Sequence, residues 1–372
     1  MNLPQIDFNK LETQLFPLDS LTEAEKSEVN RRITDNSVMK TADNLSEVAD
    51  TVMEQLQYPH AFENYKNKYF HARNAYLKLS DQSNLSTLQT AVSNIVFYNH
   101  INNHKRYFYQ NTNGDLRLIP DRQSRRYSMS GGAIWFMLNN IQFTQNCTVL
   151  DPFAGPGNLL ANICLLRAPS RIIANDLLYK KPAPGNFSYA IDKNLSEFQK
   201  HLNNLPNILQ IKLKTPEITH FNATHIPLPN NLVDWILTDP SYGREGLGQT
   251  EPEAFTEFTC SLVESLRVLN PNGEGRFLVP SEWAYFLIER LSKPYSAGTQ
   301  LSDDFLQAIK NSPYYFKKGI TPKPITKTAD WSNLVTSLLQ TLKQYLPQFN
   351  ILDVRPYFFF PMSIIIVRKS KA

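Results

Sequence analysis

The sequence predicts a doubly wound α/β fold. Its sheet is mostly parallel and closed by an antiparallel C-terminal hairpin, and a mainly helical region precedes it. Three observations carry this. Short apolar runs at 148–150, 171–174 and 233–237 each lead into an acidic residue, Asp151, Asp176 or Asp239. Helix-length apolar segments alternate with these runs, the arrangement that builds a parallel sheet with helices on its faces. Two β-rich runs at the end of the chain, 351–360 and 363–368, are separated only by Pro361-Met362 and form the closing hairpin.

The elements follow in order. Segments 20–34, 44–57 and 85–99 read as helices. Ser20 stands before Leu21-Thr-Glu-Ala-Glu as a cap with acids in the first turn. Segment 64–79 alternates aromatics with Lys66, Lys68, Arg73 and Lys78 and joins this helical region. A basic stretch comes next, with His104, Lys105, Arg106, Arg117, Arg122, Arg125 and Arg126 interleaved with Tyr107, Phe108, Tyr109 and Tyr127. Asn113-Gly114 at its centre is a tight-turn signal and predicts a hairpin of 107–110 with 116–119. From about residue 128 the pattern alternates: helix 133–140, strand 148–150, helix 158–167, strand 171–174, helix 196–205, strand 233–237, helix 253–269 and strand 275–279. The chain is thus expected to divide into residues 1–115, helical and suited to substrate binding, and a domain over 116–372. An insertion at about 284–346 has helical ends and an irregular middle, 313–327.

Composition excludes several classes. At 372 residues, 42% hydrophobic and 19% charged, the chain can bury a substantial core without disulfides or metals. Cys147, Cys164 and Cys260 are single, with no C-x-x-C pair and no histidine at ligand spacing, so reduced structural thiols and no metal site are expected. No apolar run approaches the ~18–20 residues that span a bilayer, and Met1-Asn-Leu-Pro-Gln-Ile-Asp-Phe has no basic start followed by an apolar stretch, so no signal peptide is expected. The expected location is cytoplasmic, with no membrane partner. The net charge of +4 permits a polyanionic partner without requiring one.

The first segment that carries chemistry is Asp151-Pro-Phe-Ala-Gly-Pro-Gly157. A strand runs into a turn that opens a helix. Gly155 and Gly157 allow the sharp bend and the close approach of backbone to a ligand. No Gly-Lys-Ser/Thr follows, which removes a P-loop, and a purely structural turn has no need of an acid at the strand's end. Asp176 ends the next strand about 20 residues on, where an acid meets ribose hydroxyls in nucleotide-binding α/β folds, and Asn175 could assist. Asn222, in Phe221-Asn222-Ala223-Thr224, is either a contact to an adenine edge or an ordinary loop asparagine.

The second segment is Thr238-Asp-Pro-Ser-Tyr-Gly243. An exocyclic amine on a heteroaromatic ring is a poor nucleophile because its lone pair is delocalised. Asp239 can accept one N–H hydrogen bond and the Pro240 carbonyl another, which orients the nitrogen and stabilises positive charge developing on it. Tyr242 offers a face on which an extruded base stacks, worth roughly 1–3 kcal/mol. Gly243 leaves space for the base. An ordinary Asp-Pro-Ser turn is the plain alternative, but it does not explain why the segment ends a strand downstream of a cofactor-type turn.

On these two segments the chain resembles the class I, Rossmann-like, S-adenosylmethionine-dependent methyltransferases of the amino-methylating group. Their mark is an acidic or amide residue followed by Pro-Pro and an aromatic. More narrowly, Leu237-Thr-Asp-Pro-Ser-Tyr-Gly-Arg-Glu-Gly246 is similar to the motif of the tRNA guanine-N2 methyltransferases and their RNA methylase relatives, roughly T-D-P-P-Y-G-x-R-E. Ser128-Met129 falls where that family has a further cofactor-contacting segment, and the resemblance covers about residues 125–280. It implies that Asp151, Phe153, Gly155 and Gly157 hold the methionine part of S-adenosylmethionine, Asp176 the ribose, and Asn222 with Ala223 the adenine. Asp239, Pro240 and Tyr242 then carry catalysis, with Ser241, Gly243 and Arg244 on the substrate. The implied reaction is methyl transfer to an exocyclic amino nitrogen, guanine N2 in tRNA. DNA adenine-N6 methylation, protein-glutamine methylation and a cofactor-binding homologue with little turnover are the alternatives. Three departures stand out. Ser241 replaces the second proline, Asn222 stands where the family often has Asp, and residues 1–110 show no recognisable RNA-binding module.

Tyr314-Tyr-Phe-Lys-Lys-Gly319 is a second basic, aromatic segment, beside Lys323 and Lys327 in a proline-containing loop. Lys317 and Lys318 are the expected phosphate contacts there, as are the basic residues of 104–126. In both stretches a solvated surface with aromatics packed beneath it is the competing reading.

Overall fold

The computed structural model describes residues 5–16, 21–28, 59–103, 108–111, 116–118, 129, 131–166, 169–177, 187–240, 251–280, 349–357 and 362–369. The helices are α1 (Phe8–Leu15), α2 (Pro59–Lys78), α3 (Gln82–Asn103), α4 (Gly131–Leu138), α5 (Asn158–Leu166), α6 (Ile191–Asn203) and α7 (Glu251–Val268), with a further short helix at 23–28. The strands are β1 (Phe108–Asn111), β2 (Leu116–Leu118), β3 (Thr148–Asp151), β4 (Arg171–Asn175), β5 (Phe187–Tyr189), β6 (Glu217–Thr219), β7 (Val233–Thr238), β8 (Leu269–Pro280), β9 (Phe349–Tyr357) and β10 (Met362–Lys369).

Seven strands form the main sheet in the order β6-β4-β3-β7-β8-β10-β9. The β6–β4, β4–β3, β3–β7 and β7–β8 pairs are parallel. β10 runs antiparallel to both β8 and β9. The fold is therefore Rossmann-like, doubly wound and closed by the expected C-terminal hairpin. From β3 the chain winds outward one way through β4 and β6 and the other way through β7 and β8. A crevice opens at the carboxyl ends of the strands where the winding reverses.

Alternation along the strands divides the apolar residues between two layers. Val149, Ile172, Leu237, Leu278, Ile364 and Ile366 join a cluster with the N-terminal helices and α4–α6. Their neighbours Leu150, Ile173, Ile236, Phe277, Val279 and Ile365 join the other cluster, with Phe258, Leu262 and Leu266 of α7. Those three α7 residues recur every four positions, one face of a helix. The first layer takes in α3 whole: it buries Leu88, Val92, Ile95, Phe97 and Tyr98 and packs on α1, α2, α4, α5 and α6. The N-terminal helices and the sheet thus share one apolar cluster.

Several elements differ from expectation in detail. The helix at 23–28 starts from Thr22 rather than Ser20. The Thr22 Oγ1 accepts from the Glu25 N–H at 3.3 Å while Glu25 accepts from the Thr22 N–H at 2.9 Å, a reciprocal capping box. α6 begins at Ile191, five residues before the expected start, because its cap residue Ala190 makes no side-chain hydrogen bond and leaves no start signal in the sequence. β5 and β6 are three residues each and lack the alternation that marks a strand. β8 runs from Leu269, directly off α7, with a register irregularity against Val233/Trp235 and Asn272 at φ 69°. The expected hairpin is present as β1 and β2, and β5 adds a third antiparallel strand to it. The expected helix at 44–57 and the insertion at about 284–346 lie outside the described residues.

A buried ion pair ties α4 to the sheet. The Arg276 Nε donates to Glu274 at 2.9 Å, with the two side chains 5% and 8% exposed. The Arg276 Nη1 donates to the carbonyls of Met137 and Asn139 at 2.9 and 2.7 Å, which ends α4. Among the described residues, Arg276→Leu leaves Glu274 the half-exposed Arg368 as its cationic partner. It is expected to lower the unfolding free energy by about 3–5 kcal/mol, and Arg276→Leu/Glu274→Leu should recover much of that loss. Chemical denaturation checks both, and equal midpoints for wild type and single variant would contradict the assignment.

Candidate functional site

The crevice is built from the ends of three adjacent strands. Asp151 closes β3, Asn175 closes β4 with Asp176 next, and Thr238 closes β7 with Asp239 and Pro240 next. Parallel pairing of β3 with both β4 and β7 brings these ends side by side. The acids at 151, 176 and 239 therefore stand at neighbouring strand ends.

The turn after β3 is held from several directions. Gly155 has φ 50° and Gly157 φ 85°, a region that side chains other than glycine's enter at a cost. The Ala154 N–H donates to the Asn175 carbonyl at 2.8 Å, and the Gly155 N–H donates to the Asp176 carboxylate at 3.0 Å. Asn194 of α6 donates to the Pro156 carbonyl at 2.9 Å. A Cβ at position 157 would stand 2.5 Å from Cγ1 and 2.6 Å from Cδ1 of Ile191. The missing side chain of Gly157 thus leaves room for Ile191 of α6 to pack on the turn. The Asn158 amide donates to the Met129 carbonyl at 3.4 Å, fixing buried Met129 beside the start of α5.

Asp151 is 2% exposed. Its Oδ1 accepts from the Thr238 hydroxyl at 2.7 Å and from the Phe153 N–H at 3.1 Å. Burial pushes its pKa up to about 8, with the charges of Asp239 and Asp176 adding to the rise and the two hydrogen bonds opposing it. Such a carboxyl favours the folded state most at low pH, where it is protonated in both states. That contribution drains away as pH rises from the ordinary value of 3.8 to about 8, by up to about 1.4 kcal/mol per pH unit. Asp151→Asn keeps an acceptor oxygen and removes the titration. The stability of the Asn variant relative to wild type is expected to increase from pH 5 to pH 8, and a constant difference in melting temperature across that range would contradict it.

Asn175 is corrected from the ribose-assisting role. It is fully buried and its amide is taken up by the protein. Nδ2 donates to the carbonyls of Pro152 and Phe221 at 3.0 and 2.9 Å, while Oδ1 accepts from the Phe221 N–H at 2.8 Å and the Thr219 hydroxyl at 3.1 Å. It pins the loop after β6 to the loop after β3, a job for an amide that the sequence did not reveal. Asn222 is exposed. Its Oδ1 accepts from the Thr224 N–H and hydroxyl at 3.0 and 2.9 Å, a local Asx turn that directs the oxygen inward. Ala223 is buried. The following 226–230 segment is anchored by Arg267 of α7, which donates to the carbonyls of Ile226 and Leu228, and by Glu264, which accepts from the Ile226 N–H at 2.9 Å.

Phe153 is half-buried, as is Asp239, and Pro240 is buried. Ser241, Tyr242, Gly243, Arg244, Lys317 and Lys318 lie outside the described residues, as does Ser128. The three cysteines are free, and burial raises each thiol's pKa, which favours the protonated thiol. Among the described residues no His, Cys, Asp and Glu cluster is placed to hold a metal, and no helix is long and apolar enough to cross a membrane. A cavity of about 640 Å³ between α6 and residues 210–218 includes none of the expected site residues.

No family model matches the chain, and no curated protein matches it. Among solved structures it is similar to TrmN from Thermus thermophilus, with 16% identity over 67% of this chain and TM-score 0.33. The match spans about half of that protein, 51% of its chain. It is also similar to an S-adenosylmethionine-dependent methyltransferase from Methanosarcina mazei, with 14% identity over 64% of this chain and 98% of that one, TM-score 0.33. An rRNA methylase from Streptococcus thermophilus matches at 10% identity over 62% of this chain and 90% of that one, TM-score 0.27.

Proposed function

We propose that the protein is an S-adenosylmethionine-dependent methyltransferase acting on an exocyclic amino nitrogen of a nucleobase, with guanine N2 in tRNA as the first candidate. The observation that carries this is the convergence of Asp151, Asp176 and Asp239 on the switch-point crevice, around a turn whose two glycines have positive φ.

The residues present fit the cofactor. S-adenosylmethionine supplies, when bound, a methyl group on a sulfonium together with a cationic ammonium. Asp151, whose ionisation a bound cation would favour, and the turn at 153–157 offer the ammonium a carboxyl group and backbone groups, and Asp176 offers an acceptor to the ribose hydroxyls. At Asn222 the amide oxygen is engaged by Thr224, so its Nδ2 is the group that meets an adenine acceptor. Asp239 accepts the N–H of the target amine and, with the Pro240 carbonyl, aims the nitrogen lone pair at the methyl carbon. Asp239 would stabilise the positive charge that methyl transfer develops on the nitrogen and would take up the surplus N–H proton. In this reading Tyr242 stacks on the extruded base, Ser241, Gly243 and Arg244 border it, and Lys317, Lys318 and the basic residues of 104–126 contact phosphates. Residues 1–115 assist in holding the substrate.

The test is transfer of labelled methyl from S-adenosylmethionine to total tRNA and to unmethylated DNA, followed by mass spectrometry of the nucleosides. Label in N2-methylguanosine is the expected result. Label entering only DNA adenine replaces the tRNA assignment. Cofactor binding by calorimetry without transfer to either leaves a binding protein, with Ser241 as the first residue to revert to proline.

A further inference from the structure

A buried hydroxyl bridges two of the strand ends at the crevice. Thr238 ends β7 and is fully buried, and Asp151 ends β3 at 2% exposure. The two are 87 residues apart in sequence, yet the Thr238 Oγ1 donates to the Asp151 Oδ1 at 2.7 Å. The Phe153 N–H donates to the same oxygen at 3.1 Å. A threonine hydroxyl has one proton to give, and here it goes to a carboxyl oxygen, which favours the ionised carboxylate.

The surroundings act the other way. Burial favours the protonated acid, as do the charges of Asp239 after β7 and Asp176 after β4. Asp234, the other acid of β7, is engaged at the far end of β3 on the Thr148 N–H. α5, which opens from the turn after β3, carries no charged residue. Among the described residues Asp151 makes no ion pair, so the two donated hydrogen bonds are what oppose its protonation. A carboxyl so placed keeps its proton while the crevice holds no cation and gives it up when one enters. Thr238 has a second attachment. It directly precedes Asp239, so one residue ties the acid on β3 to the acid assigned to the target amine.

Resting on the cofactor reading above, we infer that Thr238 is a positioning residue whose hydroxyl holds the Asp151 carboxyl ready to ionise for the ammonium of S-adenosylmethionine, so that cofactor binding releases a proton. The O–H bond of the carboxyl breaks, the proton passes to solvent, and the carboxylate that remains pairs with the ammonium. Calorimetry with S-adenosylmethionine in buffers of different ionisation enthalpy counts that proton. Wild type is expected to release about one at pH 6, where the acid still holds its proton in the unliganded protein, and Asp151→Asn none. Thr238→Val keeps the β-branched shape and removes the hydroxyl. Its affinity is expected to be about tenfold below wild type at pH 6, equivalent to one pH unit in the acid's titration. That ratio should close toward one above about pH 9, and the cofactor's own ionisation cancels from it. Thr238→Ser restores the hydroxyl and should bind within about twofold of wild type. A readout without cofactor is the carboxyl 13C resonance of Asp151, assigned by its loss in Asp151→Asn. In the unliganded protein it should titrate at higher pH in Thr238→Val, and in Thr238→Ala as a second hydroxyl-free variant, than in wild type or Thr238→Ser. Cofactor binding by wild type with no proton released overturns the inference and leaves the methyltransferase reading standing. So does an affinity ratio for Thr238→Val that is constant across pH, or an Asp151 titration that ignores the hydroxyl. Failure of wild type to bind S-adenosylmethionine overturns both. Hydroxyl-dependent proton release on cofactor binding, without methyl transfer to any nucleic acid, supports the inference and removes the reaction alone.

Discussion

Asp239→Ala is expected to lower methyl transfer by about 10²–10³-fold, the range for removing one preorganised group that stabilises developing charge, while cofactor affinity changes by no more than a few fold. Asp239 directly follows β7, the strand paired with β3, and is half-buried at the mouth of the crevice. An amine conjugated to a ring has little basicity, and its attack depends on being held with one N–H against an acceptor while the lone pair turns toward the methyl. Alanine leaves only the Pro240 carbonyl for that purpose. Asp239→Asn keeps an acceptor oxygen but not the charge, and should fall between alanine and wild type. A second readout belongs to the protein alone. Asp239 is one of the charges that raise the Asp151 pKa, so in the alanine variant the Asp151 carboxyl should titrate at lower pH. Turnover of Asp239→Ala equal to wild type would reject the assigned role. A large loss of cofactor affinity would place Asp239 in the cofactor site.

The framework of the fold was legible because its strands announce themselves twice. Val149-Leu150, Ile172-Ile173 and Ile236-Leu237 are apolar on consecutive positions, as strands covered on both faces must be, and each run leads to an acid in the crevice. The C-terminal hairpin was legible from its split at Pro361-Met362. β5 and β6 were not, since three-residue strands owe their pairing to neighbours and not to their own pattern. At the crevice, the placing of acids 151, 176 and 239 at strand ends was legible because each follows closely on an apolar run. Thr238 and Asn175 were not. A hydroxyl given to Asp151 and an amide spent on Pro152, Phe221 and Thr219 become visible only when the strand ends lie side by side. Arg276 was hidden in the same way, because its carbonyl partners at 137 and 139 are remote in sequence. Polar residues that assemble a site through tertiary contacts leave no periodicity, whereas strand runs and glycine turns do.

Gly157→Ala tests how that assembly works. The alanine Cβ would meet Cγ1 and Cδ1 of Ile191 at 2.5 and 2.6 Å, at a backbone φ of 85°. Both the clash and the left-handed backbone oppose it, and the expected loss is about 2–4 kcal/mol of stability. Cofactor affinity should fall at least tenfold, since α6 can be displaced only by dragging the Asn194–Pro156 bond and the turn with it. Ile191→Ala alone should cost about 2–3 kcal/mol through the cavity it leaves, with a smaller effect on the cofactor. The combination separates the causes. Ile191→Ala removes both clashing atoms, so Gly157→Ala/Ile191→Ala should be less destabilised than the sum of the single changes by more than about 1 kcal/mol. What remains of the Gly157→Ala effect in that background is the price of φ. If instead the two effects add, Ile191 is not the obstacle and glycine is needed at 157 for its backbone alone. If affinity recovers along with stability in the double variant, Gly157 shapes the cofactor site by seating α6. If stability recovers and affinity does not, the glycine is needed where the ligand itself approaches the turn.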